Sequence, residues 1–239
     1  MMSNPDLFLE KVRQMLDEGL PGSKHPFSKM MYEGRAARAD LGEFAKQTYI
    51  RNLYSSRFAS ANHSNCPIPE VRKRLLEVIT DEEESEPGSS PSHAQLMLKF
   101  GLAAGLKEEE VIHATPHHTT LTFIDTILNL SRGHWLEGMA FRASEINAPK
   151  GTAILFKVLR EKYGFKPEDV QWWATHAEAD VGHSSIAIDV YRKYVRSEAE
   201  QEMVLGALVR MMAAWNVFYD GLLLVAQQRP EGEASQVTS

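Results

Sequence analysis

Apolar residues recur at intervals of three and four positions along almost the whole chain of 239 residues. This spacing places them on one face of an α-helix, whereas a strand would need apolar and polar residues in alternation. No alternating run bounded by turn residues occurs in the sequence. The clearest stripe lies within residues 198–226 and consists of Val204, Leu208, Met211, Trp215, Phe218 and Leu222. The pattern predicts an all-α protein in which this stripe packs in the core.

Segments rich in glycine, proline and serine divide the helical pattern into roughly eight helices. These breaks are "LPGSKHP" (20–26), "NCPIP" (65–69), "SEPGSSPS" (85–92), "ATP" (114–116), "SRG" (131–133), "APKG" (148–151) and "YGFKP" (163–167). None of them is long enough to separate two domains, and a chain of this length can bury one sizeable core. We therefore expect a single-domain helical bundle over residues 1–228 and a disordered polar tail over residues 229–239.

Composition and charge exclude several classes of protein. Hydrophobic residues make up 43% of the chain and charged residues 24%, which is typical of a globular protein. The formal net charge of −6 leaves no basic excess for phosphates, so we expect neither nucleic acid nor a membrane as a partner. A single cysteine, Cys66, excludes an intramolecular disulfide and a cysteine-rich metal site. The N-terminal residues lack a signal-peptide pattern, and no continuous apolar run approaches the ~20 residues that span a bilayer, so we expect a cytoplasmic protein.

The segment "WWATHAEADVGHSS" (172–185) places His176, Asp180 and His183 at positions i, i+4 and i+7. On a helix the three side chains fall within about 60° of one another and can reach a common point. The same face carries tryptophan and aliphatic residues, so the polar trio interrupts a stripe that is expected to face the core. A buried aspartate is costly unless it is paired, hydrogen-bonded or bound to a metal. Either a buried His–Asp pair with the other histidine half exposed, or a metal site, explains this pattern.

Two further helices place ionisable groups on predicted core faces. Glu82 continues the apolar line of Leu75, Val78 and Ile79 in "EVRKRLLEVITDEEE". His93 begins the inward stripe of "SHAQLMLKFGLAAG", which Ser92 or a nearby residue is expected to cap. A hydrogen-bonded core histidine remains an alternative for His93 taken alone.

Three predicted helices thus direct carboxylate or imidazole groups into a core that their own periodicity predicts to be apolar. Carboxylate and imidazole ligands without thiolates suit iron, manganese or zinc. Helix bundles that hold two irons use inward-facing glutamates and histidines on facing helices. The combination favours a metal site in the bundle core.

Residues 25–83, from "HPFSKMMYEGRAARADLGEF" to "LLEVITDEE", resemble the N-terminal half of the PqqC/TenA-like superfamily, which has the haem-oxygenase-like fold. "FRASEINAP" (141–149) and "THAEADVGH" (175–183) resemble its metal-binding branch, the haem-oxygenase-like di-metal oxidases, which includes the chlamydial protein associating with death domains. The similarity covers about residues 5–222, and HxxxDxxH is its most specific motif.

The resemblance implies two bound metal ions, iron in the first place with manganese as an alternative, and dioxygen as co-substrate. It also implies a possible homodimer and a set of six metal ligands. These are Glu82, His93, Glu145, His176, Asp180 and His183. The assignment of Glu145 as a ligand depends mainly on the resemblance, because its own segment is apolar on too many sides to define an inward face. The spacer before His93 is longer than in related sequences, which leaves Glu86 as an alternative carboxylate.

The sequence also departs from two activities of this superfamily. The branch that makes p-aminobenzoate from its own tyrosine is expected to carry a tyrosine in the stretch where "HPFSK" has Ser28. The quinone-forming PqqC branch is expected to carry histidine and arginine where this chain has Thr152 and Leu155. Neither activity is therefore implied.

Substrate contacts are expected from a long helix predicted over residues 40–63, which lines the cavity in the resembling folds. It carries the candidates Tyr49 and Tyr54, together with Arg51 and Arg57. Packing of the tyrosines and solvation of the arginines explain these four residues equally well.

Three functions remain open from the sequence. The first is an oxidoreductase, a non-haem di-iron oxidase or oxygenase that uses dioxygen to oxidise a small organic molecule. The second is a metal-free oxidase of the PqqC type on the same fold. The third is a non-catalytic helical binding protein, which the buried ionisable groups argue against because a scaffold gains nothing from their cost.

Overall fold

The computed structural model describes residues 5–83 and 91–229, apart from the side chains of residues 147–149 and 177–185. Within these ranges the protein consists of helices and connecting turns, and the predicted all-α class is confirmed. The α-helices are α1 Pro5–Gly19, α2 Pro26–Tyr32, α3 Arg38–Asn52, α4 Ser55–Asn65, α5 Pro69–Glu83, α6 His93–Ala103, α7 Glu108–Ile112, α8 His118–Arg132, α9 Trp135–Gly138, α10 Ala140–Ala143, α11 Ala148–Tyr163, α12 Gln171–Tyr194 and α13 Glu198–Gln227. Two 3₁₀ turns span Ser144–Asn147 and Pro167–Val170.

The predicted helix over residues 40–63 is wrong as a single element. Helix α3 ends at Asn52 and α4 begins at Ser55, and between them the Tyr54 amide bonds to the Arg51 carbonyl three residues earlier, at 3.0 Å. No glycine or proline marks this break in the sequence. The two halves separate because they pack on different partners: α3 lies against α6, whereas α4 lies against α5 and α8.

Side-chain caps fix where the helices that frame the core begin. At the start of α6 the Ser92 hydroxyl accepts a hydrogen bond from the backbone N–H of Gln95. The side-chain oxygen of Gln95 in turn accepts from the backbone N–H of Ser92. This arrangement is a capping box, and it confirms the predicted cap. Ser197 and Glu200 form the same motif at the start of α13.

Helix α13 is the longest helix described, and it packs along α8 and also contacts α1, α2 and α3. Five of the six residues of its predicted stripe are buried, and Trp215 is partly buried against the same core. Among the described residues α13 is also the one helix long and apolar enough to cross a membrane by length and composition alone. The sequence interpretation had found no run of this kind. The expected absence of a membrane partner stays a prediction.

The first residue of the predicted tail, Arg229, is held in place by an ion pair. Arg229 Nη1 lies 2.6 Å from Oδ1 of the buried Asp40 on α3. The residues that follow, 230–239, lie outside the described part of the chain, so the predicted disorder of the tail stays a prediction.

The close packing of α13 on α8 leads to a stability prediction at Gly221. A Cβ added there would lie 1.8 Å from Thr119 Oγ1 and 2.9 Å from Thr119 Cβ. Rotation of the threonine cannot relieve the second contact, so we expect Gly221→Ala to lower the free energy of unfolding by about 1–3 kcal/mol.

Gly206 provides the matched control on the same helix, because a Cβ added there meets no atom within 4 Å. Since alanine has the higher helix propensity, Gly206→Ala is expected to raise the free energy of unfolding by about 0.5–1 kcal/mol. Urea denaturation of both variants measures the difference. Equal effects at the two positions would contradict the described contact between α13 and α8.

Candidate metal centre and adjoining cavity

Helix α12 brings the elements that carry the predicted ligands together. It contacts α5, α6 and the 3₁₀ turn Ser144–Asn147. On α5, Leu75 and Val78 are buried as predicted, and the side chain of Glu82 continues their face with only 6% of its surface exposed. Glu82 therefore points toward α12 rather than to solvent.

His93 lies at the first turn of α6, directly after the Ser92 cap. Its Nδ1 atom is 2.8 Å from Glu82 Oε2, which is an ion-pair distance. The amide side chain of Asn52 donates to the His93 carbonyl at 3.2 Å and ties this turn to α3. The predicted inward stripe that follows is buried at Leu96, Met97 and Phe100.

His176 on α12 completes a cluster with these two residues. Its ring centroid is 4.3 Å from that of His93, and it stacks on the indole of Trp172 at 3.8 Å. Its Nδ1 atom is 2.7 Å from the Trp172 carbonyl oxygen. Because a carbonyl oxygen can only accept, Nδ1 carries the proton and Nε2 keeps its lone pair. An imidazole oriented in this way is suited to bind a metal through Nε2.

Glu145 lies in the 3₁₀ turn, and a buried arginine, Arg142, links it to the cluster. Arg142 Nη1 is 2.7 Å from Glu145 Oε1, and Arg142 Nη2 is 3.8 Å from Glu82 Oε1. The second oxygen of Glu145 is buried and has no hydrogen-bond partner among the described residues. The sequence interpretation missed Arg142, although its i, i+3 spacing from Glu145 is that of a helical ion pair.

Burial and neighbouring charges set the protonation of the cluster. Burial alone would raise the pKa of Glu82, but His93 and Arg142 lower it to about 2. Burial opposes the charged form of His93, but the Glu82 carboxylate raises its pKa. Burial and the nearby His93 charge lower the pKa of His176 to about 3. Burial raises the pKa of Glu145 above its ordinary value, because the attraction of Arg142 does not fully compensate. At neutral pH Glu82 is therefore ionised and His176 is neutral.

The described side chains are of the types that bind metals, but they do not form a complete set of metal ligands. Among the described side chains, no group of three or more His, Cys, Asp or Glu could hold a metal ion. The predicted ligands Asp180 and His183 are in α12, but their side chains lie outside the described residues, and the alternative Glu86 lies outside them entirely. The buried oxygens of Glu82 and Glu145 and the Nε2 atom of His176 are donors that iron or manganese accepts. The residues present therefore fit a metal of this kind.

A cavity of about 190 Å³ lies beside the cluster. It is bounded by Trp172, which stacks on His176, and by Ser144, the neighbour of Glu145. The complete lining is Leu20, Pro21, Gly22, Tyr32, Phe44, Thr48, Arg51, Ser144, Gly151, Thr152, Leu155, Trp172, Trp173, Trp215, Phe218 and Tyr219. Aromatic side chains dominate its walls, as is common in sites for small organic molecules.

The two tyrosines predicted to contact substrate do not line this cavity. Tyr49 is partly buried against the core, and Tyr54 lines a separate surface hollow together with Arg57. Helix α3 directs Phe44, Thr48 and Arg51 into the cavity, and of these Arg51 is among the candidates predicted from the sequence. Their i, i+4, i+7 spacing is visible in the sequence and could have identified this face.

Another histidine, His117, forms an ion pair outside this cluster. It precedes α8, its Nε2 atom is 2.9 Å from Oε1 of Glu43 on α3, and its side chain is mostly buried. This ion pair joins α3 to the start of α8 and lies apart from the cluster of predicted ligands.

Comparison with known proteins places the chain in a family. A sequence profile described as iron-containing redox enzyme, of the haem oxygenase type, matches residues 42–216. The chain belongs to this family. The predicted membership of the haem-oxygenase-like superfamily is thereby confirmed.

Two curated relatives and one solved structure illustrate the similarity. A 4-aminobenzoate synthase from Chlamydia pneumoniae is 26% identical over 195 residues, which cover 81% of this chain and 85% of the relative. A pyrroloquinoline-quinone synthase from Acinetobacter baumannii is 28% identical over 128 residues, which cover 53% of this chain and 50% of the relative. A crystal structure from Shewanella denitrificans, of a domain with a heme oxygenase-like fold, aligns with a TM-score of 0.79 at 15% identity. It covers 99% of this chain and 98% of that one. The family and these relatives indicate an enzyme of the oxidoreductase type.

Proposed function

We propose that the protein is a dioxygen-dependent, non-haem di-iron oxidase or oxygenase that acts on a small organic molecule. One observation carries this proposal: two inward carboxylates, of which Glu145 keeps one oxygen without a hydrogen-bond partner among the described residues, meet two imidazoles beside an apolar cavity. Such donors are costly to bury unless a cation or hydrogen-bond donors compensate them. Membership of an iron-containing redox family supports iron as that cation.

Four described residues, Glu82, His93, Glu145 and His176, would contribute ligands to the iron site, which they do not complete among themselves. The predicted set adds Asp180 and His183 from α12. Bound iron supplies the one-electron chemistry with dioxygen that protein side chains lack. Glu82 offers a charged oxygen because its pKa is about 2, and His176 offers Nε2 because its Nδ1 proton is donated to the Trp172 carbonyl.

We assign the binding of substrate and the exclusion of water to the cavity walls. Phe44, Trp172, Trp173 and Phe218 surround the space with apolar surface. Such walls exclude water and hold an organic substrate against the Trp172 side of the cluster. The name of one relative supports a cavity for a small molecule, since 4-aminobenzoate, the product in that name, has a single ring. The cytoplasmic location and the homodimer stay predictions.

Anaerobic iron loading tests the proposal. Chelator-treated protein is titrated with Fe(II), and bound iron and dioxygen uptake on aeration are measured. We expect close to two irons per chain and uptake that depends on them. His176→Ala and Asp180→Ala should each abolish tight binding, whereas His118→Ala, an exposed histidine on α8, should bind as the wild type does. Trace iron in the loaded wild type, or full binding by His176→Ala, would refute the di-iron assignment.

Arg142 favours metal-free oxidation as the second candidate. Its guanidinium already compensates the charge of Glu82 and Glu145, so these carboxylates could remain buried without a metal. In that case dioxygen consumption with substrate would be the same before and after chelation. The di-iron proposal predicts that chelation abolishes it and that Fe(II) restores it.

A further inference from the structure

The cavity contains a buried positive charge that the metal cluster does not use. Arg51 on α3 is only 6% exposed and lines the cavity. Its Nε atom has no hydrogen-bond partner among the described residues, and no described carboxylate forms an ion pair with it. Burial lowers the pKa of Arg51 to about 10, so the side chain is charged at neutral pH.

Aromatic rings support this guanidinium without neutralising it. Its central carbon lies 4.9 Å from the ring centroid of Trp215 and 5.9 Å from that of Phe123. Such cation–π contacts fix the orientation of the group, but they provide no hydrogen-bond acceptor, and the Nε–H has none among the described residues. The nearest carboxylates, Glu82 and Glu145, are engaged by Arg142 instead. A buried arginine in this state is stabilised when an anion enters the cavity.

A second polar group lies next to Arg51. Thr48, one helical turn earlier on α3, also lines the cavity. Its hydroxyl is buried and has no hydrogen-bond partner among the described residues. Ser144 is already satisfied, because it donates to the Phe141 carbonyl at 2.7 Å and accepts from Trp215 Nε1 at 3.2 Å. The cavity-lining polar atoms Thr48 Oγ1 and Arg51 Nε, which lack partners among the described residues, thus both come from α3, and Phe44, Trp172 and Trp173 provide apolar walls.

We infer that the cavity binds a small monocarboxylate with a single-ring or similarly compact apolar body. Arg51 pairs with the carboxylate, and the Thr48 hydroxyl donates to the same group. The volume of about 190 Å³ exceeds the ~150 Å³ of an engineered protein cavity that holds benzene, which leaves room for one ring and its carboxylate. This inference rests on the proposed function, since it names the substrate class of that site.

Ligand binding to the metal-free protein tests the inference. Benzoate, benzamide and acetate are titrated into chelator-treated protein by calorimetry, with quenching of tryptophan fluorescence as a second signal. We expect benzoate to bind and benzamide, its neutral counterpart, to bind at least about tenfold more weakly. Acetate should bind more weakly still, because it lacks the apolar body. Equal affinity for benzoate and benzamide, or no binding of benzoate, would overturn the inference.

Variants on α3 and α4 separate a ligand role from a structural one. Arg51→Met keeps the length of the side chain and should weaken benzoate binding at least about tenfold while binding of benzamide changes little. Removing an unpaired buried charge should leave the melting temperature unchanged or raise it. Arg57→Met, at an exposed arginine on α4, should change neither quantity. Benzoate affinity retained in Arg51→Met would contradict the assigned role.

Thr48→Val keeps the test decisive if Arg51→Met does not fold. It preserves shape and leaves Arg51 in place, and we expect a smaller loss of benzoate affinity, about two- to tenfold. Unchanged affinity would remove Thr48 from the site. Because every titration uses metal-free protein, failure of carboxylate binding is distinguishable from failure of iron binding.

Discussion

Glu82→Gln is expected to weaken Fe(II) binding by about 100-fold or more, since loss of even an indirect partner of a metal ligand costs about 10–100-fold. Glutamine has nearly the shape of glutamate, so the change removes a negative charge rather than volume. The carboxylate is buried, and its pKa of about 2 keeps it ionised at neutral pH. An anaerobic Fe(II) titration against a competing chelator measures the affinity.

Glu77→Gln is the matched control, because Glu77 lies on the same helix α5 but faces solvent. It should bind Fe(II) as the wild type does. Circular dichroism and thermal unfolding of both variants establish that the fold is retained. If both variants bind iron equally tightly, Glu82 is not a ligand and the metal centre lies elsewhere.

Trp173→Ala is expected to lower the free energy of unfolding by about 3–5 kcal/mol, the usual cost of deleting a large buried aromatic side chain. Only 1% of the surface of Trp173 is exposed. Its ring lies 6.1 Å from the Phe44 ring on α3 and 4.6 Å from the Phe100 ring on α6. It thus joins α12 to two other helices, and its removal leaves a void among them. Urea or guanidinium denaturation measures the loss.

Ile154→Ala serves as the control for this change. Ile154 lies on α11, the neighbour of α12, and is largely exposed, so its truncation should change the free energy of unfolding by less than about 0.5 kcal/mol. Trp173→Phe retains part of the aromatic contact and should fall between the two. Similar small losses for Trp173→Ala and Ile154→Ala would contradict the described packing of α12.

Helical periodicity predicted those parts of the candidate centre that lie on regular helices. Glu82 and His93 continue apolar faces whose other members are buried in the structure, so their inward direction follows from the sequence alone. Glu145 could not be placed in this way. Its segment folds as the short helices α9 and α10 and a 3₁₀ turn. Elements this short contain too few turns for a helical period of about 3.6 residues to define a buried face.

The cavity was predicted on the right part of the chain, and one of the four candidate residues, Arg51, lines it. The expectation of one helix over 40–63 placed Tyr49 and Tyr54 on the same element. The break after Asn52 separates them, and neither lines the cavity. No local signal marks that break, because it arises from the different helices on which α3 and α4 pack. Contacts between distant segments of the chain decide such features, and one sequence does not display them.

Arg142 has a consequence for the order in which the protein matures. By bridging Glu82 and Glu145, it removes the mutual repulsion that two close negative charges would otherwise impose on the newly folded chain. Assembly of the bundle then does not have to wait for a cation to be delivered. The bundle can therefore fold first, and the proposed metal can bind afterwards.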